Sequence, residues 1–335
     1  MAMPPEQTPP APPPAIGTVN HRQAALALRF PAWPARTLDQ MLDAAAAEFP
    51  TRPYLITDTQ TWSYSDIKAW SERLAAGLLA AGVQPGDHVA MLMANHPEFV
   101  AVKFAIARVG AVAVPINFLN RRDELGYVLR QSDAVLLVTM DSFRGLDYLG
   151  FLDELAPGWA MQGGGTAFPR LKQVVVFPAS GQAVRAGAQA LGSLGDGAAP
   201  WQAITHPGPA SNSDIIYTSG TTGSPKGVML SHDMMLRAAF GSAWGRAFED
   251  GRRVLFSLPM YHVYGYVEGL LSVLFVGGAI VPVLMGKIVD ANGGLAKAAE
   301  GSIAISYIVP LVCMVLVAAY GLLYPTLLRR SSAPV

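Results

Sequence analysis

Apolar residues between positions 37 and 283 follow two patterns in turn: three-to-four-residue repeats and short continuous runs. Thr37 with Gln40 predicts a capping box for a helix through Met41, Leu42 and Ala45. Ser65 is placed to cap a second helix. Ile67, Trp70, Leu74 and Leu78 spell its apolar face, and Gly82 stops it. Pro85-Gly86-Asp87 turns the chain into a strand, His88–Met93. Pro97 opens the next helix, with Phe99, Val102, Ile106 and Val109 facing inward, and Gly110 ends it before a strand at Ala111–Ile116. Asp123–Gln131 reads as a helix. Ala134–Thr139, Val174–Phe177, Ser213–Tyr217 and Val254–Leu258 read as strands. Ser231 is placed to cap a helix through Met234, Met235 and Ala238.

Strands that are apolar throughout, alternating with helices, imply an α/β fold of mostly parallel sheets flanked by helices. Gly158–Gly165 and Ala179–Pro200, rich in Gly, Ala and Pro, are expected as surface insertions between strands. Residues 1–22 form a Pro-rich lead, expected to be extended or disordered because Pro fixes φ and lacks a backbone donor. The lead has neither the basic nor the apolar segment of a secretory signal. Residues 37–283 make the α/β body, and residues 284–335 an apolar tail. No charge occurs from Ile303 to Leu328. That run is long enough to cross a hydrocarbon core of about 30 Å as a helix. Arg329-Arg330 flank it as a cytoplasmic end would, and Tyr307, Tyr320 and Tyr324 suit the interfaces. The expectation is a cytoplasmic domain with a C-terminal transmembrane helix at 303–328.

Charge and cysteine content narrow the function classes. The 335 residues carry 24 Lys plus Arg and 24 Asp plus Glu, so no basic excess suggests a nucleic-acid partner. The single cysteine, Cys313, excludes an internal disulfide and a cysteine-based zinc site.

The stretch with the most chemistry is Tyr217–Val228, YTSGTTGSPKGV, which follows a strand directly. Gly220, Gly223 and Gly227 let backbone approach a ligand, and successive N–H groups can form an anion nest. Thr218, Ser219, Thr221 and Thr222 add hydroxyls, and Lys226 adds a cation after the rigid Pro225. The Gly-Lys-Ser/Thr ending of a Walker A loop is absent, because Lys226 precedes Gly227. The bland alternative, a Gly/Ser/Thr linker, is disfavoured by the strand that feeds the loop.

YTSGTTGSPKGV resembles the phosphate loop of the adenylate-forming (AMP-binding) superfamily, the acyl-CoA synthetases and fatty-acid–CoA ligases. PMYHVYG (Pro259–Gly265), GAVAVPINFLNRRDEL (Gly110–Leu125) and GVQPGDHVAMLMANHPEFV resemble further segments of that family. The resemblance covers about residues 37–283 and implies the N-terminal portion of such an enzyme. It implies two steps: a carboxylate, here a fatty acid, attacks the α-phosphate of ATP to give acyl-adenylate and pyrophosphate, then the CoA thiol displaces AMP. It also implies Mg²⁺ bridging phosphate oxygens. By the same resemblance, Thr218, Ser219, Gly220, Thr221, Thr222, Gly223 and Lys226 hold the β- and γ-phosphates. His262, Tyr261 and Gly265 belong to the acyl-substrate pocket. No residue of the protein is expected to ligate the metal by itself.

Other candidates read as structural. His96 suits a helix start, and His88 a satisfied core or edge histidine. Arg121, Arg122, Asp123 and Glu124 suit a solvated helix start. Met91, Met93, Met234 and Met235 suit packing.

The family pattern also needs an aromatic–Gly–x–Thr–Glu segment, a Thr-Gly-Asp segment, a hinge Arg and a C-terminal Lys, none of which follows His262 here. No complete catalytic set is therefore expected. Instead, Gly277–Arg330 resembles the last transmembrane segment of a major-facilitator sugar transporter, on GGAIVPVLMGKIVD, SYIVPL and AAYGLLYP; GGAIVPVL fits either family. The expectation is a truncated or chimeric, inactive ligase joined near Gly277–Val283. The alternatives are a non-catalytic, membrane-anchored nucleotide-binding fragment and part of a sugar transporter.

Overall fold

The computed structural model describes residues 17–205, 207–218 and 225–282. Up to Gly245 its α-helices are α1 (Val19–Arg29), α2 (Leu38–Glu48), α3 (Tyr64–Ala80), α4 (Pro97–Arg108), α5 (Arg122–Gln131), α6 (Tyr148–Leu155), α7 (Trp159–Gln162) and α8 (His232–Gly245). Its first strands are β1 (Pro53–Ile56), β2 (Thr61–Ser63), β3 (His88–Leu92), β4 (Val112–Pro115), β5 (Leu136–Met140), β6 (Ser142–Phe143) and β7 (Leu146–Asp147). Then come β8 (Gln173–Phe177), β9 (Gln189–Ala190), β10 (Asn212–Thr218), β11 (Lys226–Ser231), β12 (Arg253–Phe256) and β13 (Ala279–Pro282).

Seven strands form one sheet in the order β11-β10-β4-β3-β5-β8-β9, and four form another in the order β12-β13-β1-β2. The larger sheet is parallel except for the β10–β11 hairpin, and the smaller except for β1–β2. β6 and β7 make a separate small ribbon. The α/β architecture thus agrees with the alternation in the sequence.

Two cores lie on opposite faces of the larger sheet. Val89 and Met91 of β3 enter the core shared with β1, α2, α3, α4 and α8, whereas Ala90 and Leu92 enter the core under α5 and α6. Successive strand residues point to opposite faces, so a strand covered on both sides is apolar throughout. Helix α4 is buried at every position from Phe99 to Arg108, which makes it an internal helix rather than a one-faced cover.

Helix starts follow local chemistry. Thr37 N–H donates to Gln40 Oε1 at 3.0 Å, as the sequence predicts. The second helix is capped by Ser63 rather than Ser65. Ser63 Oγ accepts from Asp66 N–H at 3.1 Å, and Ser63 N–H donates to Asp66 Oδ2 at 2.8 Å. The reciprocal pair outcompetes a lone serine two residues later.

Further differences have equally local causes. Helix α1 starts inside the Pro-rich lead, because the prolines end before Thr18, whose side chain caps it. Ala179–Pro200 is not wholly an insertion, since Gln189–Ala190 adds an edge strand beside β8. Met91, Met93 and Met235 are buried, but Met234 is 58% exposed. Met234 sits in the first turn of α8, whose inner face is taken by Met235 and Leu236.

Among the described residues no helix is long and apolar enough to cross a membrane. The candidate span 303–328, the rest of the tail from residue 283, and Cys313 lie outside the described residues. The ambiguous wording GGAIVPVL contains β13, which sits between β1 and β12 in the smaller sheet. The α/β body therefore runs through Pro282.

Candidate active site

A cleft of about 430 Å³ opens at the carboxyl ends of β4 and β10, the end of a parallel sheet where ligands characteristically bind. Three segments wall it. Asn117 and Asn120 come from the turn after β4. Tyr217, Thr218 and Pro225 come from the stems of the Gly/Thr loop. Tyr261, His262 and Val263 come from the PMYHVYG segment. Stretches that are far apart in sequence thus meet at one place.

The loop stems are a β-hairpin, with Tyr217 opposite Gly227 and Thr218 opposite Lys226. The sequence reading placed Lys226 in a loop leading to a helix; it begins a strand instead, and α8 starts only at His232. Thr218 and Lys226 are exposed at the hairpin end. Ser219, Gly220, Thr221, Thr222 and Gly223 lie outside the described residues. Helix α5 touches both stems. Tyr217 Oη bonds to Gln131 Oε1, and Tyr127 Oη donates to the Pro225 carbonyl at 3.0 Å. Burial, then the neighbouring Tyr127 and Asp133, push the Tyr217 phenol up to about 12. The phenol therefore stays protonated at neutral pH and donates to the Gln131 carbonyl oxygen.

On the opposite wall, His262 Nδ1 accepts from Tyr264 N–H at 3.2 Å, which assigns the ring proton of the neutral imidazole to Nε2. The Tyr261 ring meets the edge of Phe118 with centroids 5.2 Å apart, and burial raises its phenol pKa. Gly265 is buried and is not among the residues lining the cleft. A Cβ there would stand 2.4 Å from the Pro259 carbonyl oxygen. Its position requires a close backbone approach within the segment.

Two features of the site escaped the sequence reading. Asn95, at the end of β3, accepts from Met260 N–H at 2.7 Å and donates to the Leu258 carbonyl at 2.9 Å. One side-chain amide thereby holds the backbone that leads to Tyr261 and His262. Its signal in the sequence is the asparagine of ANHPEF, beside His96. The second feature is Lys103 on α4, which bonds to Asp214 on β10 with both side chains fully buried. Ser213 Oγ donates to Asp214 Oδ2 at 2.7 Å, and Lys103 Nζ lies 4.8 Å from the Tyr266 ring centroid. Burial lowers the Lys103 pKa, and Asp214 partly restores it. Charged residues on an otherwise apolar helix pattern gave no hint of such pairing.

The remaining candidates are structural, as the sequence suggests. His96 occupies the N-cap of α4 with its ring 5.0 Å from that of Phe177. His88 Nδ1 lies 2.6 Å from the Ser132 carbonyl. Arg121, Arg122, Asp123 and Glu124 are exposed, with Arg122 paired to Glu154 at 2.6 Å. Among the described residues no group of three or more His, Cys, Asp or Glu gathers as a metal site.

The sequence model described as "AMP-binding enzyme" matches residues 42–327. The chain belongs to this family, and its relatives place it with the acyl-CoA synthetases and AMP-forming CoA ligases. It is 31% identical over 254 residues to the 3-[(3aS,4S,7aS)-7a-methyl-1,5-dioxo-octahydro-1H-inden-4-yl]propanoyl:CoA ligase of Mycobacterium tuberculosis (strain ATCC 25618 / H37Rv), covering 74% of this chain and 46% of that protein. It is 29% identical over 259 residues to the mitochondrial medium-chain acyl-CoA ligase ACSF2 of Danio rerio, covering 73% and 42%. The structure is similar in fold to the anthranilate CoA ligase AuaEII in complex with anthranoyl-AMP. The TM-score is 0.67 at 19% identity, over 79% of this chain and 49% of that one. The chain thus spans about half the length of the curated relatives it matches. The family match also continues through residues 284–327, the tail that its apolar wording sets apart.

Proposed function

We propose that this chain supplies the ATP grip and one wall of the acyl pocket of an AMP-forming carboxylate–CoA ligase. The observation that carries this reading is the meeting of the loop stems with Tyr261 and His262 across one cleft. Thr218 and Lys226, paired at the hairpin end, flank the segment Ser219–Gly223, and together these residues hold the β- and γ-phosphates. The hydroxyl, N–H and ammonium donors of that stretch suit a polyphosphate. Tyr261 and His262 face the carboxylate, for which a fatty acid is the proposed class. The chemistry is attack of the carboxylate on the α-phosphorus with departure of pyrophosphate, then attack of the CoA thiol on the acyl carbon with departure of AMP. Mg²⁺, when bound with ATP, supplies charge neutralisation at the phosphate oxygens. Lys226 and the hydroxyls orient those oxygens, and the walls position the carboxylate.

Because groups for the ribose and α-phosphate are absent from this sequence, the chain holds ATP but turns it over little. Isothermal titration with ATP and Mg²⁺, alongside pyrophosphate release with a fatty acid, tests both parts. Binding that weakens at least tenfold in Lys226→Ala, with negligible pyrophosphate, is expected. No ATP binding would overturn the reading, and robust acyl-CoA formation by the chain alone would overturn its inactive form.

The uncharged run 303–328 favours an anchored version of the same fragment, a tail of transporter-like wording on a ligase body. Vesicle flotation of the full chain against Leu316→Arg tests it. Flotation lost in the variant supports the anchor, and a wild-type chain that stays at the bottom of the gradient rejects it.

A further inference from the structure

We infer that helix α5 is a positioning element for the phosphate loop, acting through Tyr127 and Gln131. The inference rests on the ATP reading above and concerns how the grip is held in shape. A polyphosphate is gripped by several donors at once, and each donor of the segment after Thr218 has to be held in place for that grip. Affinity therefore depends on how well its two ends are fixed beforehand.

Hairpin pairing fixes the ends relative to each other, and the β10–β4 ladder ties the base of the incoming stem to the sheet at Asp214. Helix α5 adds a side-chain contact to each stem close to the loop itself. Gln131 receives Tyr217 from the incoming stem, and Tyr127 bonds the Pro225 carbonyl on the outgoing stem at 3.0 Å. Tyr127 and Gln131 are four residues apart and therefore share a helix face. The start of α5 is itself tied to the third wall. It follows the Asn117–Asn120 turn directly, and Arg121 N–H donates to Glu124 Oε2 at 3.0 Å. A single helix is thus the common reference for the turn and for both loop stems.

The chemistry of the Tyr127 contact matters as well. Pro225 has no N–H to offer a phosphate, and its carbonyl lone pairs would repel one. The Tyr127 hydroxyl occupies that carbonyl. Tyr127 and Gln131 do not line the cleft, so they act through the loop stems.

The test uses the full chain with Tyr127→Phe, Gln131→Leu and the double variant. Affinities for ATP with Mg²⁺ and for a fatty acid are measured by titration calorimetry, with thermal unfolding in parallel. Each single variant is expected to weaken ATP about five- to tenfold, the worth of one hydrogen bond. The double variant weakens it further. The fatty acid, which the Tyr261–His262 wall receives, is expected to bind within a factor of two of wild type. Amides on both sides of the loop exchange with deuterium faster in the variants. Unchanged ATP affinity in all three variants, or equal weakening of ATP and the fatty acid, would overturn the inference while leaving the ATP reading intact. A wild-type chain that binds no ATP would overturn both.

Discussion

Lys103 Nζ bonds to Asp214 Oδ1 with neither side chain exposed, which joins the internal helix α4 to the strand that feeds the Gly/Thr loop. Removing one partner leaves a buried, uncompensated charge. Lys103→Met is therefore expected to cost about 3–5 kcal/mol in urea unfolding. Lys103→Met combined with Asp214→Leu is expected to recover most of that loss, because an apolar pair of similar volume replaces both charges. A double variant no more stable than the single would sink the account.

The Asn95 amide bridges the Leu258 carbonyl and the Met260 N–H. Asn95→Ala breaks two hydrogen bonds, at about 1 kcal/mol each, and strands the N–H of the buried Met260. A loss of about 2–3 kcal/mol in denaturant unfolding is expected, with faster proteolysis between Leu258 and His262. A stability loss below 0.5 kcal/mol, roughly the level of a surface change, would show that other contacts hold the segment.

Gly265→Ala places a methyl group 2.4 Å from the Pro259 carbonyl oxygen unless the backbone moves. An overpacking cost of about 1–3 kcal/mol is expected, read as a lowered unfolding midpoint. Since Gly265 does not line the cleft, ligand affinity should fall only as far as Tyr261 and His262 are displaced. An unchanged midpoint in thermal unfolding would argue that the segment gives way without strain.

Tyr217 carries the pH dependence of the loop stem. Its folded pKa is raised from 10.0 to about 12, so the native state holds this proton more tightly than the unfolded chain. The resulting stability is fully present below pH 10 and is lost as pH rises through about 12. Ultraviolet titration of phenol ionisation is expected to show a late-titrating group in the wild type that is missing in Tyr217→Phe. Identical titration curves would refute the assignment.

The α/β class and most strands were legible because continuous apolar runs, three-to-four-residue repeats, caps and Gly stops are local signals. Pairing is not local. Lys226 looked like the end of a loop because only the backbone ladder to Thr218 makes it a strand residue. Lys103 and Arg108 interrupt the apolar run of α4 in the sequence. They are buried because Asp214 meets one, and Asp43 (3.1 Å from Nη1) and Ser71 (2.8 Å from Nε) meet the other. Thr218, Tyr261 and His262, which line the cleft, stand in stretches that the wording singles out. The groups that hold them, Asn95, Tyr127 and Gln131, were not singled out, since a single amide or phenol carries no pattern until the partner strand is in place.

The β10–β11 hairpin gives the putting-in-place of a cation an unusual mechanical basis. A helix that follows a phosphate loop lends its N-terminal dipole to the anion, but here the chain reverses and Lys226 arrives on an edge strand. Its side depends on ladder register: a slip of one residue between β10 and β11 would turn its ammonium to the other face of the sheet. Insertions or deletions within Gly227–Ser231 should therefore be far more damaging to nucleotide affinity than their distance from the ligand suggests. The hairpin acts as an indexing ratchet for a single charge.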